Sequence, residues 1–184
     1  MKPAKRALLI IDVQNEYSTG NLPVTYPSDS LGNILRAMDA AIAKDIPVIV
    51  VQHAQETADA AIFRKGSSEW ALRPEVACRH RDLLVEKRFP GSFTETGLET
   101  WLQARGIDTV VIAGYMAQAC CDTTARQAYH RGFDVEFLSN ATDTLAVENS
   151  AGVVSDRDLH QATMVTHEMF FSRVMTMEDW MLQL

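Results

Sequence analysis

Three stretches of this chain are apolar almost without a break: Ala7-Leu8-Leu9-Ile10-Ile11, Val48-Ile49-Val50-Val51 and Thr109-Val110-Val111-Ile112-Ala113. A strand with one wet face alternates apolar and polar residues, so runs like these belong to strands covered on both faces, as in a parallel sheet. Leu83-Leu84-Val85-Glu86-Lys87 is a shorter strand candidate, and Asp134-Val135-Glu136-Phe137-Leu138 alternates enough to be expected near a sheet edge. Helical patterns lie between the strands. From Ser30 to Lys44, Leu31, Ile34, Leu35, Met38 and Ile42 share one face, and Pro47 follows the end. From Thr96 to Arg105, Glu99 stands three residues after Thr96 as in a capping box, and Gly106 sits where a terminating Gly belongs. Ala119 to Arg131 closes in the same way at Gly132, while Asp156 to about Met169 and Glu178 to Leu184 are weaker helical patterns. Strands alternating with helices predict an α/β fold, a three-layer α/β/α, Rossmann-like domain with a central parallel sheet of about six strands. The irregular segment from Gln55 to Arg81 is expected to make a helical excursion over one end of the sheet.

A length of 184 residues fits one domain spanning 1–184. The formal net charge of −7 argues against a nucleic-acid partner, which would call for a basic face. The first apolar run is too short for a signal sequence or a membrane span before it meets Asp12, so no membrane partner is expected. Three cysteines, two of them adjacent, make a poor disulfide framework and point to a reducing, cytoplasmic setting.

In open α/β sheets ligands bind beyond the carboxyl ends of the strands. Asp12, Lys87 and Cys120 fall at such ends. Each has an ordinary reading alone, as a turn residue, a solvated charge and a core filler. Together at one edge they suggest an activated thiol. Cys120 follows a strand at the start of a helix, where free amides and the helix dipole favour a thiolate, and a nearby Lys87 would lower the thiol pKa further. Asp12 would then serve as a base or as an orienting carboxylate.

Three blocks carry a family resemblance: Leu9-Ile10-Ile11-Asp12-Val13-Gln14, Glu86-Lys87-Arg88-Phe89-Pro90-Gly91-Ser92-Phe93, and Gly114 with Cys120, Thr124 and Ala125 leading to Gly132-Phe133-Asp134-Val135. In their order and spacing the chain resembles the isochorismatase-like cysteine hydrolases, which include nicotinamidases, N-carbamoylsarcosine amidohydrolases and isochorismatases. The resemblance implies a catalytic triad of Asp12, Lys87 and Cys120. It selects Cys120 over Cys121, which points about 100° away on a helix and takes the core place of a family Val. It also implies a cis peptide at Tyr115–Met116. The chain departs from the family at Ala117, where Thr is common. The implied activity is cleavage of a C–N bond in a small amide or carbamoyl-type substrate through an acyl-thioester. The Met116 and Cys120 amides would hold the oxyanion. Two alternatives remain: an isochorismatase-type vinyl-ether hydrolase and a catalytically silent binding member of the fold.

Tyr17, Phe89 and Tyr115 are candidate pocket walls, with ordinary core aromatics as the equal alternative. No metal is expected. Nicotinamidases carry an Asp-x-His pair followed by two histidines, whereas here His53 stands without such partners, and no carboxylate cluster or Cys completes a site around His160 and His167, seven apart on an expected helix. No Gly-rich nucleotide loop or Ser-nucleophile motif is present, so no cofactor is expected. The resemblance and the apolar run Met169-Phe170-Phe171, with Val174 and Met175 close by, suggest a homo-oligomer; the alternative is that the run forms the last sheet strand.

Overall fold

The computed structural model describes residues 4–184, so residues 1–3 of the expected domain lie outside it. Six strands form one parallel sheet: β1 (Arg6–Ile11), β2 (Val48–His53), β3 (Leu83–Lys87), β4 (Thr109–Tyr115), β5 (Asp134–Asp143) and, after the hairpin of β6 (Val147–Asn149) and β7 (Gly152–Val154), β8 (Arg173–Met175). Their order across the sheet is β3-β2-β1-β4-β5-β8. The chain order reverses between β1 and β4, and the crevice at such a reversal is where α/β sheets bind ligands.

The unbroken apolar runs are explained by two cores. Ala7, Leu9 and Ile11 of β1 face one side, packing with Leu98 and Leu102 of α3 (Leu98–Ala104), Ala125 and Ala128 of α4 (Asp122–His130) and Met164 of α5 (Asp156–Phe170). Leu8 and Ile10 face the other side, with Ile34, Ala37, Met38 and Ala41 of α1 (Ser30–Ala43) and Trp180 of α6 (Met177–Met181). With both faces covered, no position of the central strands tolerates a wet side chain.

Several local expectations are corrected. The capping box is not made: α3 begins at Leu98, Thr96 Oγ1 donates to the Ser92 carbonyl, and Glu99 pairs with Arg131 at 3.0 Å. The helix expected from Ala119 opens instead with a wide π-helical turn, Ala117–Cys121, and becomes α-helical at Asp122. The segment Gln55–Arg81 is largely non-helical; its one helix is the four-residue α2 (Pro74–Ala77). The last helix is shorter than expected, at Met177–Met181.

β5 is one strand in from the edge. This is near the edge as expected, but its polar alternation does not mark exposure: Glu136 is buried beneath a two-pronged pair with Arg6, at 2.8 Å for each hydrogen bond, and also accepts the Trp180 indole N–H at 3.0 Å. The 169–175 run divides. Val174 and Met175 enter β8, while Met169 and Phe170 end α5 with 70% and 57% of their surface exposed.

Gly114 sets how closely β4 approaches β1. It lies opposite Ile11 with φ +124°, and a Cβ there would overlap the Ile11 carbonyl oxygen and reach 2.6 Å from its nitrogen. Only Gly fits this approach. Gly114→Ala is expected to cost about 3 kcal/mol or more, read as a lower urea midpoint at unchanged slope.

Candidate active site

Asp12 is the first residue past β1 and adopts φ +53°, a left-handed turn that most side chains avoid. Its amide donates to the Val51 carbonyl at 2.9 Å, which fixes the turn to β2. Lys87 ends β3, level with His53 in the register. Cys120 sits in the π-helical turn after β4, rather than in a first α-helical turn. The ends of β1 and β3 and the turn after β4 thus bring the three expected residues to the same end of the sheet.

Their contacts are direct. Lys87 Nζ lies 2.7 Å from Asp12 Oδ2 and 3.3 Å from Cys120 Sγ, and the side chains of Asp12 and Lys87 are fully buried. Lys87 is therefore no solvated charge. Apart from this 2.7 Å ion-pair contact with Lys87, neither Asp12 oxygen has a hydrogen-bond donor among the described residues, which leaves carboxylate lone pairs free. Burial pulls the Lys87 ammonium toward neutrality, but Asp12 and the Cys120 sulfur outweigh it and its pKa is raised. For Cys120 the outcome is the reverse of the sequence expectation. Burial pushes the thiol pKa up, the Asp12 charge adds to this, and the opposing pull of Lys87 does not cancel them. Burial and the Asp12 charge therefore favour the neutral thiol against the pull of Lys87.

The surrounding contacts hold this arrangement. In the loop after Lys87, the Ser92 amide and hydroxyl both meet Thr124 Oγ1, at 3.1 and 2.8 Å, and the Phe93 amide donates to Gln127 Oε1 at 3.1 Å. This ties the Lys87 loop to α4, just behind Cys120. Asp122, the first residue of α4, accepts from Arg126 and pairs with His167 Nε2 at 2.9 Å; the other ring nitrogen meets Ser172 Oγ at 2.9 Å. His167 thus fastens α5 to the thiol-bearing turn, and His160 is likewise buried on α5. The Tyr115–Met116 peptide is cis. The Met116 carbonyl accepts from the Ala119 and Cys121 amides, closing the wide turn around Cys120. Cys121 is wholly buried in the core.

Tyr17 and Tyr115 meet edge to face with ring centres 5.5 Å apart, and both are buried. Burial raises both phenol pKa values, Tyr115 to about 12, so both are neutral hydroxyls. Together with Gln14, Ser30, Arg73 and Asp143 they line a cavity of about 320 Å³. Phe89 does not join them; it is 44% exposed and takes no part in the aromatic pairs there. Its expected place is filled by Phe63, 5.3 Å from Tyr17 and 5.0 Å from the His53 ring. Phe63 lies in the irregular segment and has no periodic pattern around it that would mark it.

Gln14 and Trp70 also contribute to the site, with no assigned role in the sequence reading. The Gln14 side chain donates to the carbonyls of His53 and Trp70, at 3.0 and 2.6 Å, and accepts from the His53 amide at 2.9 Å. It pins the irregular segment to the ends of β1 and β2.

Ligand atoms of Asp12, His53 and Cys120 lie within 4.8 Å of one another, a grouping that donor chemistry alone would allow for a zinc-type ion. The Lys87 ammonium nitrogen stands among them at 2.7, 3.1 and 3.3 Å. A divalent ion would meet a positive charge at contact distance, so the set fits an ammonium better than a metal.

An α/β domain that gathers a carboxylate, an ammonium and a thiol beyond its strand ends has the constitution of a cysteine-dependent hydrolase. The isochorismatase domain model matches residues 6–179, and the chain belongs to the isochorismatase family. An isochorismatase-type protein from Burkholderia xenovorans LB400 superposes with a TM-score of 0.96 at 44% identity, covering 98% of this chain and 88% of that one. A secreted isochorismatase effector from Verticillium dahliae is 36% identical over 73% of this chain and 70% of its own length. A nicotinamidase from Arabidopsis thaliana is 29% identical over 86% and 78%. The chain is thus an isochorismatase-family hydrolase with amidohydrolase relatives, and none of its helices, among the described residues, is long and apolar enough to cross a membrane.

Proposed function

We propose that this protein hydrolyses a C–N bond of a small amide or carbamoyl-type substrate, with Cys120 as nucleophile, Asp12 as base and then acid, and Lys87 holding both. The reading rests above all on one buried ammonium that touches both a carboxylate with free lone pairs and a thiol. As Cys120 Sγ attacks the carbonyl carbon, its proton passes to Asp12, and the negative charge forming on the carbonyl oxygen meets the Met116 and Cys120 amides. When the tetrahedral adduct collapses, the C–N bond breaks and Asp12 returns the proton to the leaving amine. The remaining acyl-thioester is then attacked by water, which gives its proton to Asp12; the C–S bond breaks, the acid product leaves, and Asp12 passes the proton to the sulfur, restoring thiol and carboxylate. The nicotinamidase relative favours an amide over a vinyl ether.

Rapid quenching with an amide panel, followed by intact-mass analysis, is expected to show an acyl group on the peptide carrying Cys120. Turnover without any such adduct, retained in Cys120→Ala, would favour vinyl-ether hydrolysis. No turnover and no adduct with any substrate tried would leave the silent member of the fold.

The reaction is proposed to need no metal, because Lys87 already supplies the positive charge among Asp12, His53 and Cys120. Prolonged chelation is expected to leave activity unchanged, whereas restoration by one added metal alone would refute this. The exposed Met169 and Phe170 support self-association through the end of α5; light scattering that shows only monomer at micromolar concentration would reject it. Three free cysteines support a reducing, cytoplasmic setting.

A further inference from the structure

We propose that His53 is a positioning residue for the reaction, accepting the third proton of the Lys87 ammonium and so aiming the other two at Asp12 and Cys120. The inference rests on the triad reading above. An ammonium has three N–H donors and no acceptor. Lys87 Nζ has three polar neighbours: Asp12 Oδ2 at 2.7 Å, His53 Nδ1 at 3.1 Å and Cys120 Sγ at 3.3 Å. With the Lys87 side chain fully buried, removal of the histidine acceptor leaves one N–H bare and the ammonium free to turn about its last bond.

The histidine is itself held on every side. Its backbone is clamped by the Gln14 side chain through both amide and carbonyl. Its ring lies edge-on to Phe63, and Nε2 faces the Gln55 side-chain amide at 3.3 Å. Burial, and then the Lys87 charge, lower the His53 pKa against the opposing pull of Asp12, so the ring is neutral. With its hydrogen on Nε2, the Nδ1 lone pair is left for Lys87; the atom 3.3 Å from Nε2 is the Gln55 amide nitrogen, so this tautomer requires the Gln55 amide turned end for end, with Oε1 accepting the Nε2 hydrogen. The charged and titratable groups around the ring are Lys87 from β3, Asp12 from the end of β1 and Cys120 from the π-helical turn.

A ring that merely filled space beneath Phe63 would be replaced well by Leu and badly by Asn. The proposed role reverses that order, because Asn Oδ1 lies close to where His Nδ1 lies and accepts a hydrogen bond. Both variants are to be made in the full chain carrying Cys78→Ser, with kcat, KM, thermal midpoint and the pH profile of Cys120 alkylation measured. His53→Leu is expected to lower kcat about tenfold at nearly constant KM and to move alkylation to higher pH. His53→Asn is expected to stay within about threefold of the parent on both measures. Leu matching or exceeding Asn, at comparable thermal midpoints, would overturn the proposal. Should either variant fail to fold, nitrogen chemical shifts of the parent decide: an unprotonated Nδ1 from about pH 6 to 8 supports the role, and a protonated Nδ1 ends it. Parent protein that loses activity as Cys120 is alkylated, with His53→Leu unchanged, removes only the His53 role. Parent protein that keeps activity when Cys120 is fully alkylated removes the triad itself.

Discussion

Cys120→Ala is expected to abolish turnover, by about a thousandfold or more, because loss of a covalent nucleophile removes the whole pathway rather than one contribution to it. Cys121→Ala should keep most activity. That thiol is fully buried in the core, and its loss removes only a small packed group. Chemical labelling needs more care than the sequence suggests. Cys78 is exposed, whereas Cys120 is buried with its thiol pKa pushed up. A limiting dose of iodoacetamide is therefore expected to reach Cys78 first, without loss of activity. In a Cys78→Ser background the next label should fall on Cys120 and remove activity in proportion. Activity lost in step with labelling of Cys121, or retained in Cys120→Ala, would show that the nucleophile lies elsewhere.

The sheet was legible because burial on both faces leaves a mark on every residue of a strand: Ala7 to Ile11 can be read without knowing what covers them. The triad positions were legible for a related reason, since each stands where an apolar run stops. What the sequence hid depends on partners distant along the chain. Glu136 looks like an edge residue until Arg6 and Trp180 are seen upon it. The capping pattern at Thr96 and Glu99 is sound local chemistry, yet the Ser92 carbonyl and Arg131 take the two side chains away. Phe63 and Trp70 enter the site through a segment with no regular period, held by Gln14 across 56 residues in the Trp70 contact. The state of the thiol was hidden too. A strand-end Cys near a Lys reads as a thiolate, and it is the burial of Cys120 itself, with the Asp12 charge added, that turns the balance against Lys87.

That balance makes Asp12→Asn the most revealing substitution. Turnover should fall by about 10²- to 10⁴-fold, since the variant can neither take the thiol proton nor return one to a leaving amine. Alkylation should respond in the opposite sense. Asp12 lies within 4.8 Å of the sulfur and its charge raises the thiol pKa. Two unit charges at about 4 Å interact by about 4 kcal/mol at an effective dielectric near 20, and a third of that is about one pKa unit. Removing the charge also leaves Lys87 with the sulfur as its only anionic partner in the cluster. The pH of half-maximal Cys120 alkylation, measured in the Cys78→Ser background, should therefore drop by about one unit or more while catalysis is nearly lost. Lys87→Ala should move it the other way, because Lys87 is the group that opposes burial and Asp12. A thiol that ionises more easily and yet turns over less would show that proton transfer, rather than thiolate supply, is what Asp12 contributes. If the Asp12→Asn profile stays in place or moves upward, the carboxylate acts only by holding Lys87, and the base must be sought among the other groups that face the sulfur.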